Sequence, residues 1–226
     1  METLSCEQIY DILENEIMTL KIKPGEILNE NMLCARFSVS RTPIRTVLQR
    51  LRDTSLIEIR PYRGAMVTLL NYDIINQMIY LRSTVESAIL RDFIKTGTPA
   101  DLQEIKYAHE KLKKYAEGDN VDLNIFMELD YNIHKIWFKA MRKMYIFERF
   151  TTDKSDYIRF KILGLTTKNG IAEIINEHQS IIDTIENHDI DHIQECIQAH
   201  LYGNMRRMGS ELFTVYSKYF SDINSN

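Results

Sequence analysis

Ser38-Val39-Ser40-Arg41-Thr42-Pro43-Ile44-Arg45-Thr46-Val47-Leu48-Gln49-Arg50-Leu51 is the stretch whose reading decides the fold. It reads as a turn feeding a helix. Thr42 is a residue type that caps helices. Pro43 suits the first helical position, where its missing N–H has no intrahelical partner to lose. Ile44, Val47, Leu48 and Leu51 recur at i, i+3, i+4 and i+7 and form one apolar stripe. Arg41 and Arg45 lie four residues apart, at the start of the helix and off that stripe. Such a helix, held by its buried stripe with two guanidinium forks at its exposed N-terminal end, has the chemistry to read a major groove. A plain amphipathic helix with surface arginines shows the same pattern, so the flanking sequence has to decide.

Upstream, Ser5 and Gln8 make a capping box, and a helix is expected from there to about Leu20, with Ile9, Leu13, Ile17 and Leu20 inward. Lys23-Pro24-Gly25 ends it in a turn. Asn29 caps a short second helix to about Arg36, with Met32 and Leu33 inward. Three helices in about fifty residues, the last two tightly joined, describe a helix-turn-helix. Downstream, Leu56–Arg60 and Ala65–Leu69 are β-prone around the turn Pro61-Tyr62-Arg63-Gly64. That predicts a hairpin with a basic tip, the wing of a winged helix. At the tip, Arg63 supplies a cation and Gly64 lets the backbone approach DNA closely.

The charge distribution agrees. The 226 residues carry a net charge of −4, so the chain as a whole is no polyanion binder. Residues 36–63 nevertheless hold seven arginines against Asp53 and Glu58, while residues 71–226 hold nineteen basic and twenty-three acidic residues. A local positive excess is the footprint of nucleic-acid binding. Cys6, Cys34 and Cys196 are too few and too scattered for a disulfide framework and read as reduced thiols. With no signal-peptide pattern at Met1-Glu2-Thr3 and no apolar run of spanning length, the expectation is a cytoplasmic protein without membrane partners.

From Asn71 onward every periodic segment is helical. Ile74, Met78, Leu81, Val85, Ala88 and Ile89 mark one expected stripe; Thr98-Pro99-Ala100-Asp101 is a cap and first turn; Asp119 and Asp122 open a helix to about Arg142. Helices are expected over 144–163, 171–187 and about 191–220. The fold class is therefore mainly α: a winged helix-turn-helix in residues 1–70, then an antiparallel all-helical bundle of six to seven helices in residues 71–226. Within the bundle Asp130 and His134 share a helix face at i, i+4. His178 lies about ten residues before the turn at His188-Asp189 and His200 about eleven after it. In an antiparallel hairpin both come level at ~1.5 Å rise per residue. Three imidazoles and a carboxylate meeting inside a bundle suit one divalent transition metal, whether zinc, nickel, iron or manganese. His109, His188 and His192 read as ordinary core or surface residues.

Two resemblances sharpen this. Leu28-x-Glu30, Val39-Ser40-Arg41-Thr42-Pro43-Ile44-Arg45, Leu48-x-x-Leu51 and Arg63-Gly64-x-x-Val67, preceded by Pro24-Gly25-Glu26, resemble the DNA-binding domain of GntR-family bacterial repressors over roughly residues 9–69. The resemblance implies that Ser40, Arg41, Thr42 and Arg45, with Arg63 and Gly64 at the wing, face operator DNA. Ser38 and Ser55 depart from the family, which often has glycine at both places, and Thr46 replaces a usual Glu. Arg82-x-x-x-Glu86, Asp130-x-x-x-His134, Glu177-His178 with Ile181 and Ile182, and His200 resemble the ligand-binding domain of the FadR-like branch. There, metal-containing members hold a metal through an Asp and three His, with a small carboxylate beside it. Residues 140–170 match less well: Lys139-Ala140-Met141-Arg142-Lys143 lacks the usual small-residue and Asn pattern. Arg82 is the natural fork for a carboxylate effector, or simply the i+4 partner of Glu86.

The expectation is a homodimeric DNA-binding transcriptional regulator, a repressor responsive to a small organic acid. The rivals are a metal-dependent enzyme with a DNA-binding appendage and a pure metal sensor. Against the enzyme, no separate general base or nucleophile constellation is visible.

Overall fold

The computed structural model describes residues 4–60, 64–150, 155–167 and 169–221. The described residues divide into two compact units, one running to Tyr72 and rejoined by the segment from Ser210 on, the other spanning Asp73–Gly209.

In the first unit α1 (Cys6–Met18) starts at the Ser5/Gln8 capping box, with both reciprocal bonds made. It ends two residues short of the expected Leu20. Asn29 caps α2 (Glu30–Phe37) by accepting from the N–H groups of Asn31 and Met32. Leu33 faces in, but Met32 is 72% exposed, contrary to expectation. A helix of eight residues has one buried face, and Leu33 and Phe37, four apart, take it. The decisive helix, α3, spans Arg41–Asp53 and begins one residue before the expected cap. Ser40, with extended backbone, is the N-cap and makes no side-chain cap bond. Thr42 is inside the first turn, where Pro43 still costs no hydrogen bond because the first four N–H groups have no intrahelical acceptor. Ile44, Val47, Leu48 and Leu51 are all buried, as the stripe required.

The wing is present as β2 (Ile57–Arg60) and β3 (Gly64–Val67), antiparallel with Arg60 opposite Gly64. A third strand, β1 (Ile27–Leu28), pairs with the other edge of β3, giving the order β1-β3-β2. Two residues carry no legible alternation, so the sequence had no sign of β1. The expected tip residues Pro61, Tyr62 and Arg63 lie outside the described residues.

Eight α-helices follow among the described residues: α4 (Tyr72–Thr96), α5 (Pro99–Ala116), α6 (Leu123–Ala140), α7 (Met144–Phe150), α8 (Ser155–Leu165), α9 (Gly170–Glu186), α10 (Ile193–Leu201) and α11 (Gly203–Met208). Thr98 and Asp101 close a capping box, and Asp122 caps α6. The stretch expected as one helix over 144–163 is two, and the one over 191–220 breaks at Tyr202 and stops at Met208. On α4 the expected stripe is largely the wrong face. Ile74 and Leu81 are exposed, while Ile75, Ile79, Ser83, Glu86, Leu90 and Phe93 are buried. Both faces carry aliphatic residues, and the inward one also carries polar groups that hydropathy counts as outward.

The C-terminal segment is not helical to Phe220. After Gly209 it makes 3-10 turns and returns to the first unit. There Leu70 N–H donates to the Tyr219 carbonyl and Ser221 N–H to the Leu70 carbonyl, at 2.8 and 3.0 Å. Tyr72 meets Phe213 and Phe220 edge-on.

Candidate functional site

Asp130 and His134 on α6, His178 on α9 and His200 on α10 come together in the second unit, each buried, with one ligand-type atom from each within 4.8 Å of all the others. The α9–α10 hairpin brings His178 and His200 level, with ring centroids 4.4 Å apart. The Nε2 atom of His134 lies 3.4 Å from that of His178 and 3.2 Å from that of His200.

The outer nitrogens explain which way the rings present their lone pairs. His134 Nδ1 is 2.6 Å from Glu86 Oε2, and His200 Nδ1 is 3.1 Å from Glu177 Oε2. A neutral imidazole carries one proton, and a carboxylate at Nδ1 places it there, leaving Nε2 as a lone pair. Burial depresses all three imidazoles. His134 and His178 fall well below the ordinary histidine value, with Arg82 next for His134 and His200 next for His178, and His200 falls to about 3. The Nε2 lone pairs of His134 and His200 therefore face the Nε2 atom of His178. Asp130 Oδ1, buried and without a hydrogen-bond partner, sits 3.7 Å from His178 Nε2. Burial alone would raise this carboxyl, but Lys161 and the neighbouring imidazoles hold it well below the usual carboxylate range. An unpartnered buried oxygen beside converging imidazole lone pairs is the donor set of a divalent transition metal. His178 Nδ1 also lacks a partner, so only two of the three rings are oriented by a carboxylate.

Arg82 is at this site. Its Nε donates to Glu86 at 2.7 Å, the expected i+4 pair, and its Nη1 to the Tyr157 hydroxyl at 2.6 Å. Its Nη2 is 3.2 Å from His134 Nδ1. That last contact is proximity rather than a hydrogen bond, since the shorter Glu86 contact has the Nδ1 proton. Sequence reasoning missed Lys161, whose Nζ donates to Asp130 Oδ2 at 2.6 Å from inside the bundle. It also missed the roles of Glu86 and Glu177 as ring orienters. Gly203 makes room for the latter: a Cβ there would lie 2.5 Å from Glu177 Oε1. His109 is a satisfied core residue, its Nε2 3.0 Å from the Ile175 carbonyl. His192 pairs at the surface with Asp189.

In the first unit Ser40, Arg41, Thr42 and Arg45 are exposed at the start of α3, and Gly64 is exposed with φ +85°. Arg41 donates to the Asn31 side chain at 3.0 Å and Arg45 to Glu30 at 3.1 Å. The arginine excess is less free than composition suggested: Arg36 is paired with Glu16, Arg50 with Glu7, and Arg60 with Glu58.

A helix-turn-helix with a wing, joined to a separate helical unit that buries a ligand-rich cluster, defines a class: transcriptional regulators with a DNA-binding and a regulatory part. Residues 6–67 match the bacterial regulatory proteins of the gntR family, and residues 77–203 match the FCD domain. The chain belongs to the GntR family, in the group that carries an FCD domain, and is a transcriptional regulator rather than an enzyme. It is 25% identical over 195 residues to the transcriptional repressor RspR of Escherichia coli, covering 86% of this chain and 85% of that protein. It is 26% identical to the galactonate operon repressor of the same organism, covering 89% and 96%. The gluconate operon repressor of Bacillus subtilis is 25% identical, covering 78% and 74%. Among solved structures, the fold is shared with Lar of Listeria monocytogenes (TM-score 0.60, 16% identity, 92% and 97% covered) and with McbR/YncC of Escherichia coli (TM-score 0.57, 17% identity, 93% and 98% covered). No described helix is long and apolar enough to cross a membrane.

Proposed function

We propose that the chain is a homodimeric repressor. Residues 1–70 read operator DNA through Ser40, Arg41, Thr42, Arg45, Arg63 and Gly64. Residues 71–226 sense a small organic acid at a divalent metal held by Asp130, His134, His178 and His200. The observation that carries the reading is the convergence of three Nε2 atoms and an orphaned Asp130 oxygen within 4.8 Å of one another. The bound metal supplies a Lewis-acidic cation with positions open to an anion. Arg82, 11% exposed at the edge of the cluster, supplies a guanidinium beside it. The metal's charge in a buried site, with the Arg82 fork beside it, favours an anionic occupant. The galactonate and gluconate operon repressors are named for operons of sugar acids, which agrees with a carboxylate ligand. Exposed Ile74, Tyr80 and Leu81 on α4 offer an apolar face to a second copy.

Acid binding changes operator affinity only through a difference in its affinity for the DNA-competent and DNA-incompetent states. The test is a thermal-shift screen of metabolite acids on metal-loaded and metal-stripped protein, read beside operator gel shifts. We expect acids to stabilise the loaded form, with the logarithmic concentration dependence of linked binding, and to do so more weakly in Arg82→Ala. Equal stabilisation of both forms would make the metal structural only. Metal-dependent operator binding untouched by any acid would mark a metal sensor. A His134→Ala/His178→Ala variant that still takes up one equivalent of metal would refute the ligand set.

A further inference from the structure

Every buried cation of the helical unit that the structure describes has a carboxylate partner. Arg82 has Glu86, Lys161 has Asp130, Arg159 has Asp156 and Arg207 has Glu177, at 2.7, 2.6, 2.6 and 2.7 Å. An imidazole that ligates a metal is neutral, because the metal takes its lone pair, so the three clustered histidines add no charge to the loaded site. The interior is thus electrically balanced, four charges of each sign. A divalent metal on Asp130 and the histidines adds two positive charges, and none of these four carboxylates is left over to meet them. Burying a net charge of that size in a low-dielectric interior is costly, and the metal's full affinity calls for two negative charges to arrive with it.

The geometry provides a place for the second of them. On α8, Tyr157 and Lys161 are four residues apart and face the cluster together, the Tyr157 hydroxyl on Arg82 and the Lys161 ammonium on Asp130. An ammonium has three N–H donors, and the structure gives Lys161 one acceptor, Oδ2 of Asp130. Because Lys161 occupies Oδ2, Asp130 turns only Oδ1 to the histidines. Lys161 also borders a cavity shared with Tyr157, His200, Asn204 and Arg207. That cavity is about 10 Å³, room for roughly one water molecule.

We infer that Lys161 is a second cationic anchor of the effector site, in addition to Arg82, and that the effector is dianionic: a small dicarboxylate. One carboxylate lies on the metal and Arg82, the other on Lys161. The cavity, about 10 Å³, is smaller than a dicarboxylate, so entry of the acid requires side chains around it to shift. The inference rests on the metal-and-acid reading above, and it makes metal and dianion affinities strongly coupled, each raising the other by the same factor.

The experiment is calorimetric titration of the full-length protein with nickel, alone and with saturating succinate or acetate, repeated in Lys161→Met and Lys161→Arg. In the parent we expect succinate to tighten nickel binding by ~10-fold or more, within the usual range of coupling between sites. Acetate should do clearly less. Lys161→Met should still bind nickel but lose the advantage of succinate over acetate, and Lys161→Arg should recover it. Full coupling to succinate in Lys161→Met would overturn the inference. So would equal coupling of the two acids in the parent, a result that needs no variant and stands even where Lys161→Met fails to fold. The failures separate cleanly. Nickel binding with no response to either acid would remove the acid-sensing function itself, and absence of nickel binding would remove the metal site.

Discussion

The two units solve opposite problems with their interiors. The described residues of the winged unit bury aliphatic and aromatic side chains and no charged one, with Ile9, Leu13, Ile17, Ile44, Val47 and Leu51 essentially inaccessible. Its charged side chains lie outside that core, where they can meet a polyanion. The helical unit buries Glu86, Asp130, Arg159, Lys161 and three clustered histidines alongside its apolar core. A hydrophobic core is the more economical way to hold a domain together, since burying ions costs several kcal/mol each before pairing returns any of it. A unit that keeps such a cluster is therefore retaining it for something other than stability. The contrast separates a unit with its chemistry on the outside from one with its chemistry inside.

Acid exposes the contrast most strongly. All six histidines lie in the helical unit, and the three of the cluster are depressed by burial, His200 to about 3. Below the ordinary value near 6.5, the unfolded chain takes up protons that the folded cluster refuses, so stability falls as pH falls, from about 6.5 down towards 3. The slope is about 1.4 kcal/mol per pH unit for each histidine so held. His192, exposed and raised by Asp189, works weakly in the other direction. The winged unit has no histidine, and its Glu7 and Glu16, both lowered by their arginine partners, titrate only in stronger acid. Trp137 is the only tryptophan and packs 4.7 Å from the His134 ring, so its fluorescence reports the helical unit alone. In metal-stripped protein the fluorescence midpoint in urea should drop between pH 6.5 and 5. A pH-independent midpoint would mean that the cluster does not behave as a buried neutral set. Metal should defer the drop until protons compete it away.

Neutralising Asp130 comes next. Asp130→Asn removes the oxygen ligand of the proposed metal and leaves the Lys161 ammonium buried without its carboxylate, so a loss of about 3–5 kcal/mol is expected. The matching change in the winged unit, Glu16→Gln against the half-exposed Arg36, should cost under about 1 kcal/mol. Urea unfolding of both variants measures the difference. Similar losses would erase the distinction between the two interiors.

Arg41→Ala and Arg45→Ala should do the reverse of Asp130→Asn. Each is expected to weaken operator binding by about 1–3 kcal/mol while shifting stability by no more than about 0.5 kcal/mol, because both side chains are exposed. Nickel binding should be unchanged. Parental gel shifts at matched salt from both variants would move the DNA-reading surface away from α3.

What could be read from the chain follows the same division. The winged unit was legible because its signals are local: the Ser5 capping box, the Asn29 cap and the Ile44 to Leu51 stripe each lie within a few residues. The four ligand-type residues were legible because two share a helix face and two flank one hairpin turn, so counting residues places them. Their partners were not. Glu86 reaches His134 from 48 residues away, Lys161 reaches Asp130 from 31, and Glu177 reaches His200 from 23. The buried face of α4 was misread for the same cause: Ser83, Glu86 and Ser87 look like solvent-facing residues until the cluster that needs Glu86 is known. The turn back of residues 210–221 to Leu70 had no signal, since a backbone bridge between distant segments leaves no pattern in side chains.

The smallest expected effect concerns two serines in the winged unit. Ser38, between α2 and α3, has φ 54° and ψ 41°, and Ser55, before β2, has φ 60°. Both are left-handed, a conformation that crowds Cβ against the backbone and costs an L-residue roughly 1–2 kcal/mol. Glycine has no such penalty, which is the physical reason it is frequent at these two places in the family. Glycine also frees the unfolded chain, which returns about 0.5–1 kcal/mol of the gain. Ser38→Gly and Ser55→Gly should therefore each stabilise the winged unit by about 0.5–1 kcal/mol. The two positions lie at opposite ends of α3, so their effects should add. Circular dichroism in urea should register the shift, while Trp137 fluorescence and nickel affinity stay where they were. Destabilisation by either change would mean that the serine side chain contributes more to its turn than its backbone strain removes, and that the scaffold is tuned at these turns rather than merely tolerating them.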